Sequence, residues 1–441
     1  MGHYLKAVQL GVGFFCVFLA FTGTQSIMSS VLPDSLGYWS LGCIYLAMMF
    51  GSFFLSSGAT ILLTPKWAMF LGSLFYAVFE FCNLWPKWGV IIPASVILGF
   101  AASILWTSEA AYLASVAVLH AAEERKPRKA TIGLFTGIFM GIYLTSAAVG
   151  NVITSLVLTN TETAEGGVDT KLLFYVFTGV AALGCVIVGL LPRPKPKPGF
   201  ERAIATESAG LSVKQKFLGA LVHLKNPKML ILIVPLLAAG FLHAFVAGDF
   251  TKTMISEVHG VQMVGYIYAV IGVFNAVTGP ALGELADKFG ARWIYIVGYA
   301  VTALFLVTMI PMYGTEASKS YVALVFWAAL LGIGETALYS LLAPDIVGIM
   351  FTDQRETAFA TVKIFQSGGT SLMFFLGGYI PYKVKLIILS VGSLLGLGCL
   401  LFLDLRMYHF SAVKKEKADD EIELASRQVE SPAPKEDISR T

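Results

Sequence analysis

Charge is what this chain has least of. Of its 441 residues only 13% are Asp, Glu, Lys or Arg, about half the share usual in a soluble domain. The formal net charge is +3, which gives a polyanion little to bind, so nucleic acid is not an expected partner. Cysteine is scarce as well: Cys16, Cys43, Cys82, Cys185 and Cys399 each sit inside an apolar run. None falls in a Cys-x-x-Cys or Cys/His spacing, which argues against a disulfide framework or a metal site. No nucleophile and base pair, P-loop or metal cluster is legible, so neither an enzyme nor a cofactor is expected. What the chain has in abundance is apolar surface, with 56% hydrophobic residues and a mean hydropathy of +0.74. These residues form long uninterrupted runs, which excludes both an ordinary soluble globule and a disordered chain. The lipid bilayer is the expected solvent.

A helix needs roughly 20 apolar residues to cross a bilayer. Twelve stretches of about that length are predicted near 8–31, 38–63, 67–84, 91–118, 131–158, 172–191, 229–251, 262–284, 292–313, 321–347, 358–381 and 384–405. The fold class is thus an all-α membrane protein of twelve transmembrane helices. The first run follows only His3 and Lys6 and carries no convincing cleavage pattern, so it is read as a retained span. A Met-Gly start invites myristoylation, but Lys6 stands where that signal wants Ser or Thr. The breaks at Pro65-Lys66 and Pro381-Tyr382-Lys383 are so short that tight helical hairpins are expected there.

Lys and Arg flanking a span stay on the cytoplasmic side. With the amino terminus inside, cytoplasmic segments collect Lys6, Lys66, Arg125, Lys126, Arg128, Lys129, the central loop, Lys288, Arg292, Arg355 and the tail. The opposite loops hold Lys87, Lys171, Lys252, Lys319, Lys383 and Lys385. Both termini are therefore predicted cytoplasmic. The loop with Glu162, Glu165 and Asp169 then lies outside, and no Asn-x-Ser/Thr sequon occurs in any outer loop.

A shift of 226 residues aligns Lys66-Trp67 with Arg292-Trp293, Gly72 with Gly298, Phe79 with Phe305, Glu109 with Glu335, Thr131 with Thr357 and Ile138-Phe139 with Ile364-Phe365. One constant offset across so many positions points to duplicated, pseudo-symmetric six-helix halves. The organisation is an amino-terminal half at 1–191, a basic linker at 192–228, a second half at 229–405 and a tail at 406–441 expected to be disordered. The linker opens with alternating prolines from Pro192 to Pro198, stiff and without helix potential. Ser212 and Gln215 then stand in capping-box spacing before Phe217, Leu218, Leu221 and Val222 on one face, with Lys214, Lys216 and Lys225 on the other. An interfacial helix on an anionic leaflet fits this pattern, and so does a solvated connector.

The most specific local signal runs from Gly283 through Asp287, Lys288 and Gly290 to Arg292. Gly283 permits close helix approach, Gly290 a tight turn, and Asp287 can cap the positive end of span nine. The segment resembles the loop signature of the major facilitator superfamily, where it stabilises the state closed to the cytoplasm. The matching first-half turn has Ile61 where the repeat predicts the Asp, so the gate is expected in the second half alone. Three further segments resemble the uncoordinated-93-like family. They are Pro65-Lys66-Trp67 with Met69, Gly72 and Tyr76; Leu105-Trp106-Thr107 leading to Tyr112-Leu113; and Gly248-Asp249-Phe250-Thr251-Lys252 followed by Gly260 and Gly265-Tyr266. The family often has Gln-Gly after the Trp, where this chain has Glu109-Ala110. The resemblance implies a major facilitator fold over residues 1 to about 405, in a family whose better-known members regulate potassium channels or escort membrane receptors.

Ionisable groups at membrane depth cost roughly 2.5–3.5 kcal/mol on insertion scales, so each needs a reason. The candidates are Glu80, Glu109, His243, Asp249, Glu335, Asp345 and Lys363. In the superfamily spans one, four, seven and ten line the cavity, so Glu109 and Glu335 are expected to face each other, with Trp106 and His243 as further cavity residues. They serve either proton or cation coupling or hydrogen-bonded packing. Lys363 is expected to pair with Asp345. Asp249 and Lys252 are placed at the outer end of span seven, as an outer gate, a partner contact or a solvated helix terminus. Two functions stay open: a regulator or assembly partner of another membrane protein, such as a potassium channel or receptor, and a secondary transporter of a small solute or ion.

Overall fold

The computed structural model describes residues 2–161, 168–194, 226–342, 346–347, 350–351 and 355–408. The helices of the first half are α1 (His3–Val31), α2 (Leu36–Phe54), α3 (Ser56–Cys82), α4 (Trp88–Glu124), α5 (Arg128–Tyr143), α6 (Thr145–Asn160) and α7 (Lys171–Gly189). The second half holds α8 (Pro227–Ala244), α9 (Gln262–Phe289), α10 (Arg292–Met312), α11 (Tyr321–Glu335), α12 (Arg355–Gly377) and α13 (Tyr382–Leu403). No β-strand occurs among the described residues. Among the described residues eleven spans are long and apolar enough to cross a membrane, α5 and α6 together forming one, and α12, of 23 residues and less apolar, is the twelfth helix of the bundle. The tail from residue 409 on and the helical part of the linker, from Ser212 to Lys225, lie outside the described residues, as do Glu162, Glu165 and Asp345, while Arg406 to Tyr408 continue the last helix as a π turn.

Local chemistry sets several boundaries. Asn226 caps α8 by accepting the Lys228 N–H at 3.0 Å, with Pro227 in the first helical position, where a missing N–H costs nothing. Gly290 turns the chain between α9 and α10 at φ +96°, a conformation open to glycine. The reversal between the second and third spans differs from the expected hairpin at Pro65-Lys66. α2 already stops at Phe54, and the chain bends again at Thr64, φ 64° and ψ 151°, so the turn is spread over about ten residues ahead of Pro65. Span seven also runs further than its apolar stretch implies. After Ala244 it continues as a π-helix, Phe245–Ser256, and a final turn, Glu257–His259. Asp249 and Lys252 thus lie within a continuous helix, not at its unwound end.

The two halves meet in a symmetric way. Within the first, α1 packs on α5, α6 and α7, and α4 on α2 and α3; within the second, α8 packs on α12 and α13, and α11 on α9 and α10. Across the divide α2 lies on α12, α6 on α9, and α1 on the π segment of span seven. These contacts use small residues. A Cβ added at Gly265 would sit 2.1 Å from the Asn151 carbonyl oxygen, and one at Gly272 2.9 Å from the Ala148 nitrogen. The same helical faces continue toward the membrane surface where α1 begins, here termed the near face, as Gly141, Gly137 and Gly133 on α5 and Gly279 and Gly283 on α9. There the glycines have room: an added Cβ meets nothing within 4 Å at Gly133, Gly137, Gly141 and Gly283. The close approaches between the halves at these glycines are therefore on the far face, and on the near face the described glycines of α5 and α9 make none. Gly283, expected to permit close helix approach, makes no such approach among the described residues.

Candidate functional site

Two helices of the second half change winding beside the same point. Span seven leaves α geometry two residues after His243, and span ten changes to a π segment, Thr336–Leu341, directly after Glu335. Such π segments re-aim side chains and are frequent at functional sites. Here they bring His243 Nδ1 to 2.5 Å from Glu335 Oε1. His243 Nε2 is 2.7 Å from the Tyr45 hydroxyl, which in turn accepts from Gln25 Nε2 at 3.1 Å. One proton arrangement satisfies the whole chain: Gln25 donates to Tyr45, Tyr45 to His243 Nε2, and His243 Nδ1–H to the Glu335 carboxylate. The imidazole stacks on Tyr339, 4.4 Å between centroids and 13° between planes. Glu335 Oε2 is buried and has no hydrogen-bond partner among the described residues.

Glu109 is placed differently from Glu335. It is only 6% exposed and makes no hydrogen bond or ion pair among the described residues. Trp106, one turn away, stands edge-on to Tyr143 at 5.2 Å and packs on Phe14 and Phe18. Glu109 and Glu335 both act electrostatically on Tyr143. Lys363 donates to Gln366 Oε1 at 3.2 Å, and its ammonium lies 5.5 Å from the Tyr339 ring centre. Its expected partner Asp345 is outside the described residues. Glu80 is an anchor between α3 and α1, accepting from Thr24 at 2.6 Å.

On the far face, the Asp249 segment ties the halves together. Asp249 Oδ1 accepts from Lys385 Nζ and, at 2.9 Å, from the Tyr38 hydroxyl. Lys385 also donates to the Gly377 carbonyl at 2.6 Å. Ser29 donates to the Gly248 carbonyl at 3.0 Å, and the Lys252 ammonium lies 5.3 Å from the Tyr38 ring centre. Phe250 and Thr251 are fully buried, Thr251 bonding back to Ala247. Both charges of the ion pair are buried, and α1, α2, span seven, α12 and α13 all contribute.

At the near face, Arg292 holds Asp404 through Nε at 2.5 Å and Nη2 at 3.0 Å, and the Tyr295 hydroxyl donates to the same carboxylate at 2.6 Å. This clamps α10 to the end of α13. Lys288 pairs with Glu284 on the exposed side of α9. Asp287 belongs to the last turns of α9, and Ala291 occupies the cap position of α10. The Asp287 side chain lies outside the described residues. Asp404→Asn keeps the shape but loses charge at a forked hydrogen bond, which should lower unfolding stability by about 2 kcal/mol. Unfolding in detergent micelles would measure it, and an unchanged midpoint would contradict the clamp.

Sequence comparison agrees with this architecture. Residues 30–401 match the family described as ion channel regulatory protein UNC-93. The chain belongs to the UNC-93 family. UNC93-like protein 3 of Arabidopsis thaliana is 32% identical across 87% of this chain and 82% of its own length. A Caenorhabditis elegans relative named "Putative potassium channel regulatory protein unc-93" is 26% identical across 93% of this chain and 63% of its own. The fold is that of the major facilitator superfamily: the crystal structure of a D-xylose-proton symporter superposes with a TM-score of 0.65 at 13% identity, covering 93% of this chain and 98% of that one.

On this UNC-93 framework the second half carries the polar chemistry. The 226-residue shift takes His243 to Val17, Lys363 to Gly137, Asp249 to Gly23, Lys385 to Thr159 and Asp404 to Thr178. Glu109 therefore lacks the imidazole that its counterpart Glu335 holds. Tyr45, Gln25, Tyr143, Tyr339, Lys385, Tyr38 and Asp404 complete these networks without having been singled out in the sequence. Of these, Asp404 carried the clearest signal, an acid within the last apolar run.

Proposed function

We propose that this UNC-93 family protein acts without enzymatic chemistry, as a regulator or assembly partner of another membrane protein, with a potassium channel as the first candidate. Family membership over residues 30–401 carries the reading, and the name of the Caenorhabditis elegans relative supplies the channel class. The erosion of the first half, with Val17 and Gly137 at the positions matching His243 and Lys363, fits a protein that keeps a transporter frame for a different use. The near face is assigned to the cytoplasm because the flanking Lys and Arg gather there. The units at 1–191 and 229–405 then act as two bodies joined by the basic linker at 192–228, with the tail at 406–441 beside it. Potassium conductance recorded in cells lacking the chain, and after restoring it, tests the channel assignment. A change that follows the chain is expected; identical currents at all voltages would refute it.

A second reading, a secondary transporter of a small solute or ion, is favoured by one observation: two buried carboxylates at membrane depth, Glu109 with no bond among the described residues and Glu335 with a free buried oxygen. Gradient-driven uptake into proteoliposomes that falls at least tenfold in both Glu109→Gln and Glu335→Gln is the expected result of that reading. Uptake indifferent to both substitutions, or no uptake of any solute, would remove it.

A further inference from the structure

We infer that the chamber bounded by Glu109, Glu335 and Lys363 binds a small zwitterion with an aromatic or apolar body, its ammonium held by the carboxylates and its carboxylate by the lysine. The inference stands apart from the regulator reading, since a liganded regulator and a transporter would both use such a site.

The unmet bonding capacity of the chamber has two signs. On the acidic side Glu335 Oε2 is buried without a partner, although Oε1 is held by His243. Glu109 is nine-tenths buried and makes no bond among the described residues. A carboxylate left this way at membrane depth is costly, and an ammonium group relieves the cost at both. On the basic side Lys363 pairs with no carboxylate among the described residues; its amine has only the neutral Gln366 oxygen and the Tyr339 face. Lys363 is nevertheless accessible, although its neighbours Thr361, Val362 and Gln366 are buried and α12 is packed between α2 and α8. Its amine lies over Tyr339 of span ten, the ring on which the Glu335-bound imidazole of His243 stacks.

The spacing suits a molecule with two charged ends. Tyr339 touches both poles, with the His243 ring 4.4 Å from its centre and the Lys363 amine 5.5 Å from it. The amine is therefore no more than about 10 Å from the imidazole that holds Glu335, as those two distances require. A pure cation would leave Lys363 unmatched beside it, and a pure anion would leave two carboxylates unmatched. The side chains beside the three charged groups are aromatic: Tyr143, with Trp106 edge-on against it at 5.2 Å, and Tyr339. Such rings favour an apolar body and add attraction for an ammonium group.

Three probes that share one ring separate the possibilities: L-phenylalanine, phenethylamine and 3-phenylpropionate. Each is titrated against the purified full-length chain in detergent, with the melting temperature as readout, because a ligand that binds only the folded state raises it. L-phenylalanine is expected to give a saturable rise, with half-saturation at least tenfold below that of either single-ended probe. Glu109→Gln removes a buried charge that makes no bond of its own, so it should weaken L-phenylalanine at least tenfold without lowering the unliganded melting temperature. Lys363→Met should do the same to L-phenylalanine without altering the phenethylamine response, and Lys363→Arg should restore binding. If one single-ended probe matches L-phenylalanine, the site is for a cation or an anion and the zwitterion assignment is wrong. No response to any probe, or an L-phenylalanine response untouched by Glu109→Gln and Lys363→Met, overturns it as well.

Discussion

Lys385→Met should be the most damaging single exchange of a charged residue in this protein, lowering unfolding stability by about 3–5 kcal/mol, the range for stripping one partner from a buried ion pair. Asp249 is 1% exposed and Lys385 4%, so neither has water to fall back on. Without the ammonium, Asp249 keeps only the Tyr38 hydroxyl, and the Gly377 carbonyl loses its donor. The damage should have a recognisable form. Because Tyr38 lies on α2 and Asp249 on span seven, the far-face contact between halves loosens, and cysteines placed there react faster with a membrane-impermeant maleimide. Removing both charges tests the cause. Asp249→Leu in the Lys385→Met background replaces an unpaired buried charge with apolar volume, and much of the lost stability should return. A double variant no more stable than Lys385→Met, or a single variant with an unshifted unfolding midpoint, would contradict the assignment of this pair.

Gly265→Val should be nearly as severe, about 3 kcal/mol, at the upper end of overpacking penalties. The new Cβ would stand 2.1 Å from the Asn151 carbonyl oxygen and 3.0 Å from the Ser155 nitrogen, and backbone atoms cannot rotate aside. Ser155 also accepts the Tyr266 N–H at 2.8 Å, so a shift of α9 away from α6 breaks that bond too. The protein can escape by parting the halves on the far face, which would raise labelling there while the chain remains folded. Gly137→Val is the control, since an added Cβ meets nothing within 4 Å at that glycine. Equal behaviour of the two variants in unfolding and in labelling would mean that the far-face contact does not hold the halves together.

Much of this frame was legible in the sequence because the bilayer imposes it. A run of apolar residues must form a helix to satisfy its own backbone, and the runs could be counted. The 226-residue shift was legible as well, from Lys66-Trp67 and Arg292-Trp293 to Glu109 and Glu335. The limits of span seven were not: Gly248 to Lys252 read as a helix end because Gly, Asp and Lys interrupt the apolar run, yet Asp249 is matched by a lysine 136 residues away. Lys383 and Lys385 looked alike as outer-loop charges, and only the register of α13 turns Lys385 inward. π-helical winding has no sequence period of its own, so the redirection after His243 and Glu335 was invisible, and with it their pairing across 92 residues. The missing partner of Glu109 was legible in principle, since the shift that matches it to Glu335 also places Val17 opposite His243.

Whether the chain resides in its membrane alone or with a partner decides what it is for. Full-length protein at its natural abundance, extracted directly into polymer nanodiscs and weighed particle by particle, answers that without detergent. The expected result is a particle in which the 47.5 kDa chain sits with a second membrane protein at fixed stoichiometry, an ion channel foremost. Particles that hold this chain and no other, in every growth state sampled, would contradict the regulator reading.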